Sequence, residues 1–116
     1  MATITKVDLS GATDGGPVLV AATSTAGTTI HTAGSGTTNW DEVWIWLLCT
    51  HTADVAVEIE WENATANQNI VQTIPFEDGL TLVVPGLILQ NSKTVKIFAG
   101  TTNVVAAVGY VNRITA

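Results

Sequence analysis

Between residues 53 and 62 the chain alternates with period two. Val55, Val57, Ile59 and Trp61 occupy one set of positions, and Asp54, Ala56, Glu58, Glu60 and Glu62 the other. Successive side chains of a strand point to opposite faces, so this segment has one face for a core and one acidic face for water. A helix of the same sequence would scatter the acids around its circumference. No ten-residue segment elsewhere has helical period, so a core has to be built from strands. The abundance of Val, Ile and Thr and the scarcity of charged helix formers point the same way.

The same reading predicts strands at 3–8, 17–23, 28–32 and 41–50 before this segment. After it, strands are predicted at 69–75, 80–84, 87–90, 93–99 and 104–114. Turn signals separate them: Thr13-Asp14-Gly15-Gly16, Glu77-Asp78-Gly79, Pro85-Gly86, Asn91-Ser92 and Gly100-Thr101-Thr102-Asn103. Eight to ten short strands with turns every 8–12 residues predict an all-β, antiparallel β-sandwich of jelly-roll type. No repeat of fixed period is present, which disfavours a propeller or solenoid. A length of 116 residues suits one domain spanning 1–116, with 1–16 reading as an extended N-terminal arm that carries Ile4 and Val7. The small, polar stretch 21–39 reads as a long loop around a short strand, and such loops often carry function. The segment 41–50 is apolar on both faces, Val43, Ile45, Leu47 and Cys49 on one and Trp44, Trp46 and Leu48 on the other. Such a strand is central in a sandwich or covered on its outer side.

Charge narrows the function classes. Lys and Arg number 4 against 10 Asp and Glu, a net charge of −6, and charged residues are 12% of the chain, about half the usual ~25%. Four basic residues, Lys6, Lys93, Lys96 and Arg113, cannot form the cationic stripe that phosphate neutralisation needs, so no nucleic-acid partner is expected. The Val, Ile and Trp content argues against disorder. No apolar run reaches the ~18–20 residues of a membrane span, so no membrane partner is expected. The first residues lack a basic n-region and an apolar h-region, so no signal peptide is expected. One cysteine, Cys49, excludes an internal disulfide and a cysteine metal cluster and reads as a buried small hydrophobe. No nucleophile elbow, phosphate loop, dinucleotide fingerprint or zinc-protease helix occurs, so neither an enzyme nor a cofactor is expected.

Three groups of residues are candidates for chemistry. Glu58, Glu60 and Glu62, with Asp54 further along, have one parity; they could approach a hard cation, but a solvated outer face is the reading favoured. His31 and His51, joined across the fold with an acid such as Asp54, would make a metal site or a general-base pair; ordinary polar residues at strand ends are favoured instead. Trp40, Trp44 and Trp46 share one parity and project from one face. That face is either a core layer between two sheets or an exposed platform, for a protein interface or, as a lesser share, for sugar rings. Asn63-Ala64-Thr65 matches a glycosylation acceptor and reads as a chance match in a turn.

The shortage of charge has a physical consequence. A small sandwich has a large surface and open sheet edges, which isolated domains protect with Lys and Glu. A surface of Thr, Ala, Asn, Ser and Val suits burial between subunits. In these respects the chain resembles the small virion proteins of tailed bacteriophages, and head decoration (cement) proteins are the nearest type. The segments that carry the resemblance are Gly16-Pro17-Val18-Leu19-Val20-Ala21-Ala22-Thr23 and Val104-Val105-Ala106-Ala107-Val108-Gly109-Tyr110-Val111-Asn112-Arg113-Ile114-Thr115. The resemblance implies a β-sandwich or jelly roll made in the host cytoplasm, assembled as a homotrimer on the capsid surface, with the major capsid protein as partner and no catalytic residues. The expected oligomer or shell contact is Trp40, Trp44, Trp46, Val105 and Val111, with Ile4 and Val7 of the arm clasping a neighbour by strand addition. A carbohydrate-binding jelly roll, or a tail, connector or fibre component, is the alternative.

Overall fold

A computed structural model describes residues 2–62 and 66–115. Nine strands run through them: β1 (Thr3–Asp8), β2 (Val18–Leu19), β3 (Thr28–Thr32), β4 (Asn39–Cys49), β5 (Val55–Glu62), β6 (Ile70–Ile74), β7 (Thr81–Leu89), β8 (Thr94–Ala99) and β9 (Val105–Thr115). One 3-10 turn, Ala66–Gln68, is the sole helical piece among the described residues. The strands form two antiparallel sheets. One has the order β1-β9-β4-β7, with β2 also on the β9 edge, and the other β3-β8-β5-β6. Apart from β1 to β2 and the β5–β6 hairpin, each connection crosses from one sheet to the other, which is the double Greek key of a jelly roll.

The alternation seen in the sequence closes the core. In β4, Val43, Ile45 and Leu47 are fully buried, and across the sandwich so are Ile59 of β5 and Val95 and Ile97 of β8. Each such side chain contributes about 1.5–3 kcal/mol relative to exposure. The centre of the first sheet is the β4–β9 pair, in register over eleven residues from Asn39↔Thr115 to Cys49↔Val105. Gly109 lies in that ladder opposite Ile45. A Cβ there would overlap the Trp44 carbonyl oxygen, so only glycine lets β9 pass at this point.

Two segments differ from the sequence reading. Pro85-Gly86 is not a turn; β7 continues through it, and the predicted strands 80–84 and 87–90 are one. Along β4 the partner of Trp44 is Pro85 and that of Val43 is Leu87, so Gly86, at φ 76°, is the extra residue of a β-bulge. A second bulge holds Val83, between the pairs Ile45↔Val84 and Trp46↔Leu82. Proline and glycine mark turns and edge-strand bulges alike, and β7 is an edge, where the missing N–H of Pro85 is harmless. The predicted strand 17–23 pairs only as Val18–Leu19. Val20 N–H still donates to Val105 C=O of β9; beyond it the chain turns to the other sheet, where Ala22 C=O accepts from Ala99 N–H of β8.

Candidate functional site

In β4 the odd residues face the core and the even ones the exterior, which decides the orientation of the tryptophans. Trp40, Trp44 and Trp46 lie on the outer face of the β1-β9-β4-β7 sheet, not between the sheets. Strand register arranges that face in rows. Ile4, Ile114 and Trp40 make the first, and Lys6, Asn112, Glu42 and Ile88 the second. Asp8, Tyr110, Trp44 and Pro85 follow, then Val108, Trp46 and Leu82, and finally Leu19, Ala106 and Leu48. Aromatic and aliphatic side chains therefore border one short polar row, and Asp8 adds a carboxylate at the β1 end of the next. Ile4 is 68% exposed and Leu19, Ile88 and Leu82 are 43–52% exposed, so much of the apolar area is open to water.

The three central rings pack on one another. Ring centroids are 6.2 Å apart for Trp44–Trp46, 6.4 Å for Trp44–Tyr110 and 6.1 Å for Trp46–Tyr110, with interplanar angles of 18–30°. Such near-parallel contacts contribute roughly 0.5–1.5 kcal/mol beyond area burial. The polar row is tied to them. The Lys6 ammonium sits 4.5 Å over the Tyr110 ring, a cation–π contact. Glu42 Oε1 accepts from Trp44 Nε1–H at 2.8 Å and from Asn112 Nδ2–H at 3.1 Å. The Trp44 hydrogen bond, then that of Asn112, holds the Glu42 carboxyl below the usual carboxylate range. Both groups are thereby held against the sheet, and the face keeps a fixed shape.

The histidines do not come together. His31, in β3, packs beside the start of β4, and His51 follows the far end of β4. His31 is buried with Asp41: Nε2 donates to Asp41 Oδ2 at 2.7 Å while Nδ1 accepts from Ser10 N–H at 3.0 Å. Asp41 also accepts Arg113 Nε–H on Oδ1 at 2.8 Å and Nη2–H on Oδ2 at 2.9 Å. Burial by itself raises the Asp41 pKa, but the Arg113 hydrogen bonds and then the His31 hydrogen bond outweigh it and leave the carboxyl below its ordinary value. The same contacts hold Arg113 above its own. Ser10, His31 and Asp41 have the residue types of a hydrolytic triad without its geometry. Ser10 meets the imidazole through its backbone N–H, its hydroxyl accepts from Thr32 N–H at 2.7 Å, and His31 and Asp41 are each only 1% exposed. The cluster is a buried brace between the sheets. Asp54 is elsewhere, accepting from Phe76 N–H at 3.3 Å.

Contrary to the solvated outer face expected from the sequence, the acidic stripe is partly covered. Glu60 is 2% exposed, because the chain after β2 folds over it. Thr25 Oγ1–H donates to Oε2, and Gly27 N–H to Oε1 at 2.6 Å. Gly27 crosses the β8 backbone so closely that a Cβ would come within 2.7 Å of Ile97. The long polar stretch 21–39 thus includes a strap on the second sheet. Glu62 pairs with Lys93 at 3.6 Å, and Glu58 accepts from Asn69 Nδ2–H at 3.3 Å. Among the described residues no three His, Cys, Asp or Glu side chains converge as a metal site would require. Asn63-Ala64-Thr65 lies outside the described residues.

Two of the expected contact residues are corrected by burial. Val105 and Val111 are fully buried; they have the inward parity of β9 and pack in the core. Their outward neighbours Val108, Tyr110, Asn112 and Ile114 belong to the Trp face, joined by Lys6 from β1. Sequence reasoning passed over them, although β9 alternates; which parity faces out became decidable only from its register with β4. Residues Thr3–Asp8 pair with β9 of their own chain as β1, where Ile4 points outward and the partly buried Val7 packs against the core. Cys49 is buried, and its Sγ lies 3.9 Å from Ala53 C=O. No helix among the described residues is long and apolar enough to cross a membrane. No protein-family model, curated protein or solved structure matches the chain.

Proposed function

We propose that the protein is a virion structural protein of the head-decoration type, which self-associates on the capsid of a tailed bacteriophage and reinforces the shell. The observation that carries this reading is the packed aromatic and aliphatic face of the β1-β9-β4-β7 sheet, much of it open to water. Large exposed apolar patches mark interaction surfaces, and aromatic residues with depleted charge characterise the centre of interfaces. A jelly roll whose buried polar groups are spent on internal bracing supports a structural role over a catalytic one. Contact with the major capsid protein would add interface area between capsomers and stabilise the assembled shell by mass action.

Immunogold electron microscopy of purified particles tests the reading. Label distributed over the head is the expected result. Label confined to a tail, a connector or fibres would replace it with the alternative virion role, and unlabelled particles would overturn both. A carbohydrate-binding jelly roll is the second reading, favoured by Glu42 and Asn112 standing beside the rings. It requires that soluble glycans quench the tryptophan emission and that Trp44→Ala removes the quenching.

A further inference from the structure

We propose that the outer face of the β1-β9-β4-β7 sheet binds the same face of a second copy of this chain, about a two-fold axis running along β9. This deepens the assembly reading and rests on it. β9 lies between β1 and β4, so its outward residues sit on such an axis and meet their own equivalents. Residues one strand to either side exchange places. In the polar row Lys6 and Glu42 flank Asn112; the axis sets each Lys6 opposite Glu42 of the other copy, twice per pair. In the next row Ile4 and Trp40 flank Ile114, so Ile4 meets Trp40. At the far end Leu19 and Leu48 flank Ala106 and meet in the same way. In the Tyr110 row Asp8 and Trp44 flank the axis, so Asp8 meets the Trp44 ring; the other three flanking pairs set charge against opposite charge or apolar against apolar, with no lateral shift of the strands.

Size and symmetry agree with this partner. The rows that overlap across the axis cover three strand positions, β1 or β2, β9 and β4, and nine residues of β9, about 14 by 27 Å at strand spacing, or roughly 400 Å² in projection; β7 lies beyond them on one side. That is the order of the ~800 Å² per partner of a standard interface. Two sheets aligned within about 30° pack face to face at ~10 Å, as in any sandwich. The other sheet does not offer an equivalent contact. Its outer side carries Glu58, Glu62 and Lys96 and is crossed by the strap that covers Glu60, so a second copy there would meet the strap and not an open sheet face. A closed three-fold ring needs two different complementary surfaces on each subunit, whereas the apolar rows form one surface that is complementary to itself.

Charge reversal tests the pairing. The full chain is expected to sediment as a dimer at micromolar concentration. Lys6→Glu alone puts acid opposite acid, and Glu42→Lys alone puts base opposite base, so each variant should dimerise at least ~10-fold more weakly. An equimolar mixture of the two should regain the dimer, because the acid introduced in one chain faces the base introduced in the other. Circular dichroism verifies that each variant is folded. Independently, Ile114→Cys lies on the axis and should be joined into a covalent dimer by a short bismaleimide, while the wild-type chain, whose Cys49 is buried, should not. A wild-type monomer or trimer, single variants that stay dimeric, a mixture that stays dissociated, or an unlinked Ile114→Cys would each overturn the pairing. Shell decoration by a monomeric wild-type chain would overturn the pairing and leave the proposed function standing. Dimers that never bind a head would do the reverse.

Discussion

Asp41 holds three strands with one carboxylate. It sits in β4 and receives His31 from β3 and both arms of the Arg113 guanidinium from β9. Removing one member of such a buried group strands the others, so Asp41→Ala is expected to lose about 3–5 kcal/mol in urea unfolding. The pH dependence follows from the lowered pKa of the folded state. As pH falls, the unfolded chain takes up its proton first, near the ordinary ~3.9. The stabilisation is therefore fully present above about pH 4 and is lost as pH drops through the lower, folded value. Urea midpoints between about pH 2 and 7 should show a shallower acid loss in Asp41→Asn, which is less stable at neutral pH but has no carboxyl to titrate. Glu42 provides an optical counterpart, since its carboxylate accepts directly from the Trp44 indole. Tryptophan emission should change at a pH below the usual glutamate range, and that change should be absent in Glu42→Gln. A transition that persists in the variant would assign it to another acid.

At the scale of elements the decisive unit is the β4–β9 ladder, because it supplies the centre of the core on one side and the aromatic rows on the other. Gly109 is its tightest point. Gly109→Ala forces the two backbones apart, and a loss of at least ~3 kcal/mol, read by thermal unfolding, is expected. A near-neutral result would mean that β9 can shift without harm and that the register is not fixed there. The bounds of β1 and β3 were legible from alternation and flanking turn residues alone, as was the two-sheet architecture. The continuity of β7 was not, since Pro85-Gly86 has the same composition in a hairpin and in an edge bulge. The shared parity of Trp40, Trp44 and Trp46 was legible too, but not which way they point. A strand apolar on both faces has no internal sign, and the sign comes from the strands it pairs with. The Asp41 brace was hidden for a related reason: its arginine lies 72 residues away, and no local pattern links the two. Glu60 was misread because its cover comes from a polar loop that resembles solvent-facing chain.

Across the whole molecule the scarce charge is distributed unevenly. The aromatic face holds Lys6, Glu42 and Asp8, whereas three acids, Glu58, Glu60 and Glu62, lie on the opposite sheet with Lys96 beside Glu60 and Lys93 paired to Glu62. A chain of net charge −6 repels its copies at long range, and a face-to-face pair keeps the acids of the two far sheets apart. With a sandwich about 10 Å between sheet planes, the acids of the far sheets in a face-to-face pair are separated by more than the ~8 Å screening length of physiological salt. At about 0.01 M salt that length grows to ~30 Å, and the same acids then act across the pair. Association should therefore be weaker at about 0.01 M than at about 0.15 M salt, opposite to the usual behaviour of a contact governed by a single salt bridge. Glu58→Gln with Glu62→Gln removes two negative charges remote from the contact and should narrow the difference, which sedimentation at the two salt concentrations measures. If affinity instead falls steadily with added salt in both proteins, the Lys6–Glu42 contacts outweigh the global repulsion, and the uneven charge does not select the face.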